Sequence, residues 1–99
     1  MAHRTKEGQE IHDKKVAEIA INLEKKGYYV QADLPGHPKP TRIGNYIPDV
    51  IAQKGDKVLI REIETRNTIS QDKKQHKAFE NWADEKNANF QVLIAKKKK

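Results

Sequence analysis

The chain has 99 residues, with 20 Lys and Arg against 14 Asp and Glu, a net charge of +6, 35% apolar and 34% charged side chains. This is the profile of one soluble folded domain with a modest core and a highly charged surface. No apolar run nears the ~18 residues of a membrane span, MAHRTKEGQE has no secretory-signal core, and zero cysteines exclude disulfides and Cys-type zinc sites, so a cytoplasmic setting without membrane is expected.

The first pattern is helical. His12, Val16, Ile19, Ala20 and Leu23 fall on one face at i, i+4, i+7, i+8 and i+11. Gly27, after Lys25 and Lys26, suits the stop. Tyr28–Leu34 reads as a strand with Tyr28, Val30, Ala32 and Leu34 on one side. The segment PGHPKPTRIGN, with three prolines and two glycines, reads as a loop. Ile47–Gln53 and Val58–Thr65 form a hairpin around Gly55-Asp56. A second helix is expected from about Ser70 to Lys86, with Ala78, Phe79, Trp82 and Ala83 inward. Phe90–Ala95 is a continuous apolar run of the kind that suits a strand covered on both faces. The three consecutive strands form an antiparallel meander, and the second helix returns the last strand parallel to the third. The expected fold is therefore an α/β (α+β) αβββαβ core: a small mixed sheet flanked by helices, one domain over residues 1–95. Lys96–Lys99 supply four of the positive charges, and without them 16 basic residues face 14 acidic ones, a balance of only +2. Residues 96–99 are expected to be a disordered tail, or an auxiliary phosphate contact.

Three carboxylates in the hairpin need a reason, because acids are poor strand formers and costly to bury unpaired. Alternation puts Val58, Ile60, Glu62 and Glu64 on one side of the third strand. A Gly-first turn of type II′ pairs Gln53 with Val58, Ile51 with Ile60 and Asp49 with Glu62. Like charges directly opposite are destabilising. They call for a cation between them, a shared proton, or strong solvation, with pairing to Arg42 or Arg66 as the bland alternative. A divalent cation, Mg²⁺ or Mn²⁺, is the simplest answer, since it takes carboxylate oxygens and also binds substrate phosphate. His12 extends the apolar stripe of the first helix and faces the sheet; its role is either structural or part of this site. Gln75, one turn before Phe79, is an inward amide that needs partners. It can orient a carboxylate, a water or the substrate, or bond to nearby backbone.

These residues resemble the PD-(D/E)XK nuclease superfamily, the restriction-endonuclease-like fold that includes archaeal Holliday-junction resolvases. Pro48-Asp49 is similar to the PD element, Glu62-Ile63-Glu64 to (D/E)-X-K, and the element order to the superfamily core, over about Gln9 to Ala95. The resemblance implies that Asp49 and Glu62 bind the catalytic metal, with the Ile63 carbonyl as a further ligand. His12, 15 residues before Gly27, matches a histidine of some archaeal relatives, although Ile11 precedes it where they usually have Glu. Gln75 and Phe79 are similar to a weakened Gln-x-x-x-Tyr motif. Glu64 departs from the pattern by holding the lysine position. It cannot stabilise anionic charge, but it can bind a metal or act as a base; Lys73 or Lys74 would then be the source of a cation. The implied function is metal-dependent hydrolysis of DNA, with Asp49, Glu62, Glu64, His12 and Gln75 in the site. Lys39, Arg42, Arg66, Lys73 and Lys74 would hold phosphates, and a homodimer would address two strands. The rivals are a catalytically inactive DNA-binding module on the same fold and a structural protein with surface acids.

Overall fold

The computed structural model describes residues 6–65 and 72–95. Arg66 and the Lys96–Lys99 tail lie outside the described residues, as does Ser70. The first helix, α1 (Lys6–Lys25), buries His12, Val16, Ala20 and Leu23, the stripe that the spacing predicts. It stops at Gly27, whose φ of +91° lets the N–H groups of Gly27 and Tyr28 turn back to the carbonyls of Glu24 and Leu23 (3.0 and 3.1 Å), a Schellman closure.

Four strands follow: β1 (Tyr29–Ala32), β2 (Val50–Lys54), β3 (Lys57–Glu64) and β4 (Asn89–Ile94), with α2 (Lys73–Lys86) between the last two. The sheet order is β1-β2-β3-β4; the first three strands are antiparallel and β4 runs parallel to β3, as expected of a meander with a helical crossover. The hairpin register is also the expected one, with Ile51 opposite Ile60 and Gln53 opposite Val58. Gly55 has φ +57° and is the left-handed residue that a type II′ turn needs at its first central position.

Two apolar clusters hold the layers together. On the α1 side Val16, Ala20 and Leu23 pack on Val30, Ala32, Val50, Ala52 and Ile63. On the α2 side Phe79 and Ala83 pack on Ile51, Ile60 and Ile43 of the loop. Phe79 sits edge-on between Tyr46 and Phe90, with centroids 6.2 and 5.9 Å away. The sheet is thus sandwiched at its centre, and any polar group on the inner half of β3 lies under one helix or the other.

Two features differ from the sequence expectation. Ile47 is exposed and lies outside β2, because Pro48 has no N–H for a ladder and the strand starts two residues later. The last apolar run is an edge strand rather than an enclosed one: with a single neighbour among the described residues, Phe90, Val92, Leu93 and Ile94 are only half-buried. The helix α2 ends at Lys86, as expected, and is closed by Asn87 in the left-handed conformation (φ 57°), with its N–H on the Ala83 carbonyl, so an asparagine takes the role usually given to glycine. Among the described residues no helix is long and apolar enough to cross a membrane.

Candidate active site

One end of the sheet gathers five segments: the early turns of α1, the exit of β1, the entry of β2, the exit of β3 and the start of α2. Asp49 stands at their junction. Its carbonyl accepts the N–H of Asp33 (3.0 Å), which continues the β1–β2 pairing by one residue. Its N–H donates to Glu62 Oε1 (2.8 Å), and its own Oδ2 accepts the N–H of Ile63 (2.9 Å). Asp49 and Glu62 are the next pair in the hairpin register, as the turn predicts. They do not simply confront each other, because each carboxylate accepts a backbone N–H from the other's strand. Hydrogen bonds to backbone N–H favour the ionised form and offset part of the repulsion.

The Asp49 carboxylate also reaches the α1 side. Its Oδ2 lies 3.2 Å from His12 Nε2, while His12 Nδ1 is 3.1 Å from Asp13 Oδ1. The Nε2 approach to Asp49 is at ion-pair distance without the alignment of a hydrogen bond. His12 is 3% exposed, so it is both a core residue of α1 and the group that backs Asp49; the two alternatives open in the sequence coincide.

Glu62 and Glu64 point to the α2 side and are 1% and 0% exposed. Gln75 donates from Nε2 to Glu62 Oε2 (2.6 Å), so the inward amide orients a carboxylate. His76 Nε2 lies 3.4 Å from Glu64 Oε1. Burial first, then the Asp49 charge and more weakly Glu64, push the Glu62 carboxyl from 4.5 up to about 9, against the pull of the Asp49 N–H and the Gln75 amide. At neutral pH Glu62 therefore keeps its proton, which is how the cluster tolerates its own like charges.

Donor atoms of Glu62, Glu64 and His76 lie within 4.8 Å of one another, close enough to share one cation. Asp49 stands beside this group, with Oδ2 engaged by Ile63 and His12. His76 is absent from the residues that the sequence singles out, yet it carries a signal. His76, Phe79 and Ala83 fall at i, i+3 and i+7, one helical face, and Gln75 borders it.

Two of the basic residues adjoin this end, and two lie in the loop between β1 and β2. Lys73 and Lys74 are exposed in the first turn of α2, within one turn of Gln75 and His76. Two cations at a helix N-terminus oppose the helix dipole, a cost that an anionic ligand would remove. Lys39 is exposed between Pro38, whose carbonyl accepts the N–H of Ala32 (2.9 Å), and buried Pro40. Arg42 is exposed beside Ile43, which is buried in the α2-side cluster.

A family model described as AHJR-like, REase_AHJR-like, matches residues 4–98. A search of curated proteins returned no match. The chain therefore belongs to this restriction-endonuclease-like family of the PD-(D/E)XK superfamily, whose fold the two helices and mixed four-stranded sheet reproduce.

Proposed function

From that membership as the premise, we propose that this chain is a divalent-metal-dependent DNA nuclease that hydrolyses phosphodiester bonds. The family supports nuclease function in general, with DNA as the substrate. One observation carries the finer reading: two carboxylates are buried together beside an imidazole, at distances that suit a common cation. Buried acids at such spacing are costly unless a proton or a metal compensates them. A bound cation would replace the proton that Glu62 otherwise holds.

The donor set fits a hard or borderline ion. Glu62, Glu64 and His76 would hold it, with Asp49 through the oxygen that Ile63 and His12 leave free. Carboxylates suit Mg²⁺ and Mn²⁺ alike, and an imidazole favours Mn²⁺. When bound, such an ion activates water and polarises the phosphoryl oxygen.

The chain's own residues do the rest. His12 and the Ile63 N–H fix Asp49; Gln75 fixes Glu62. Lys73, Lys74, Lys39 and Arg42 attract the DNA backbone. Attack of water on phosphorus forms a P–O bond, breaks the bond to the leaving sugar oxygen and releases one proton. Glu64, through the carboxylate oxygen not given to the ion, would take that proton, and a water on the leaving side would supply the proton that the sugar oxygen gains. Glu64, in the lysine position, is in this reading a ligand and proton acceptor.

The same substitution favours a second reading: a DNA-binding module without hydrolysis, since no lysine stands at that position to stabilise the phosphate charge. Cleavage of supercoiled, single-stranded and four-way DNA in Mg²⁺ and in Mn²⁺, with Asp49→Ala as control, decides between them. Cleavage lost in Asp49→Ala supports the nuclease; a wild type that binds but leaves all three intact supports the module.

A further inference from the structure

A second feature lies on the α2 side of the sheet, toward the opposite end. A cavity of about 200 Å³ is lined by Tyr29, Gln31, Thr41, Gln53, Val58 and Trp82, among others. It is smaller than the ~300–1,000 Å³ of sites for drug-sized ligands and cofactors, and its size suits one planar ring system. Its lining combines an indole and a phenol with two carboxamides. Gln31 Oε1 accepts both the N–H and the hydroxyl of Thr41 (3.3 Å each), which holds its amide in one orientation with Nε2 as the remaining donor. Gln53 is exposed at the end of β2.

We infer that this cavity binds an unpaired nucleobase of the DNA substrate, stacked on Trp82 and read at its edge by Gln31 and Gln53. The inference rests on the DNA reading above and adds the substrate class: DNA with a displaced or single-stranded base near the reacting phosphate. Aromatic side chains stack on bases of any identity, and amides match the donor and acceptor pattern of a base edge. Position supports the assignment. Val58 and Glu62 share one face of β3, about 13 Å apart, and α2 runs above them from Gln75 to Trp82, about 10 Å. A strand whose phosphate sits at the carboxylates reaches the cavity within about four nucleotides at ~3.4 Å each, fewer when stretched. Charge supports it too. Arg42, exposed between the lining residues Thr41 and Ile43, supplies a cation for the backbone that carries the base.

Trp82 is the protein's sole tryptophan, so its fluorescence reports this cavity. The test uses the full chain in Ca²⁺, a hard cation for the carboxylates. It is titrated with a short single-stranded oligodeoxynucleotide, with an abasic oligonucleotide of the same length and with a duplex. The base-containing strand should quench Trp82 and bind roughly tenfold more tightly than the abasic one, and the duplex should quench least. Trp82→Leu should erase the preference for bases, followed by fluorescence anisotropy of labelled DNA. Should Trp82→Leu fail to fold, Gln53→Ala, an exposed position, should lower the preference severalfold. Equal binding and quenching by the abasic strand, or wild-type preference in both variants, or no binding of any strand, would overturn the assignment. The readout is binding, so an inert wild type that still prefers bases leaves this inference standing while the nuclease reading fails.

Discussion

Replacing Glu62 by Gln should stabilise the metal-free protein at neutral pH, because the native fold forces a proton onto this carboxyl. The ordinary value is 4.5 and the folded value about 9. Between those limits the native state binds more protons than the unfolded one, so stability is full below about 4.5 and falls as pH rises toward 9. At pH 7 the penalty is 2.3RT × (7 − 4.5), about 3 kcal/mol, against the ordinary 4.5; at pH 5 it is below about 1 kcal/mol. Glu62→Gln removes the titration and keeps the shape. Its carbonyl still accepts the Asp49 N–H now bonded at 2.8 Å. Its NH₂ would meet the Gln75 donor now at 2.6 Å, which Gln75 relieves by turning its amide to present oxygen. Allowing about 1 kcal/mol for burying the amide imperfectly, the net gain at pH 7 is about 2 kcal/mol, and it should shrink toward zero near pH 5. Urea denaturation of both proteins in EDTA at pH 5, 7 and 8.5 measures the difference directly. A variant less stable than wild type at pH 7, or two parallel stability–pH curves, would refute the protonated, buried Glu62.

His12→Ala should cost about 2–3 kcal/mol in urea denaturation, below the ~3–5 kcal/mol of a fully buried pair because the Asp49 side chain keeps 14% exposure; an unchanged midpoint would remove His12 as the support of Asp49. Lys73→Ala with Lys74→Ala should weaken DNA binding and flatten the dependence of log K on log salt by about 0.7–0.9 for each phosphate no longer neutralised, read by anisotropy from low to moderate salt. Gly27→Ala should lower stability by about 1–2 kcal/mol, since φ is +91° there; a neutral result in thermal melts would contradict the closure of α1.

Much of the fold is legible in the sequence because local rules and tertiary packing agree in this chain. The Gly55-Asp56 turn gives the register, and alternation then assigns every residue of β3 to a face. The 3.6-residue stripe of α1 places His12 on the sheet, and Gln75 follows from its distance to Phe79. What escapes depends on geometry that no periodicity encodes. Because β2 begins only after Pro48, Asp49 is left free to give Ile63 a side-chain acceptor in place of a backbone one, and so to reach His12 on the other layer. His76 is legible in principle from its spacing to Phe79 and Ala83, but the apolar residues of α2 mask it. The run Phe90–Ala95 misleads for a physical reason: apolar content measures the burial that a strand tolerates, and β4 reaches only half of it at the sheet's edge. The cavity beneath Trp82 joins five separate segments and has no linear signature.

Metal-dependent hydrolysis at the buried carboxylates is the step on which the functional reading depends. Its sharpest test is the single-turnover cleavage rate of DNA across a Mn²⁺ titration, for wild type and for Glu64→Gln, with the fraction of DNA bound measured alongside. The wild-type rate should rise and saturate with Mn²⁺. Glu64→Gln should lose about 10²-fold or more, the usual scale for removing a proton acceptor, at similar or tighter DNA binding. A wild type that binds DNA yet leaves it intact at every Mn²⁺ concentration, or a Glu64→Gln variant that cleaves at the wild-type rate, would contradict hydrolysis by these carboxylates.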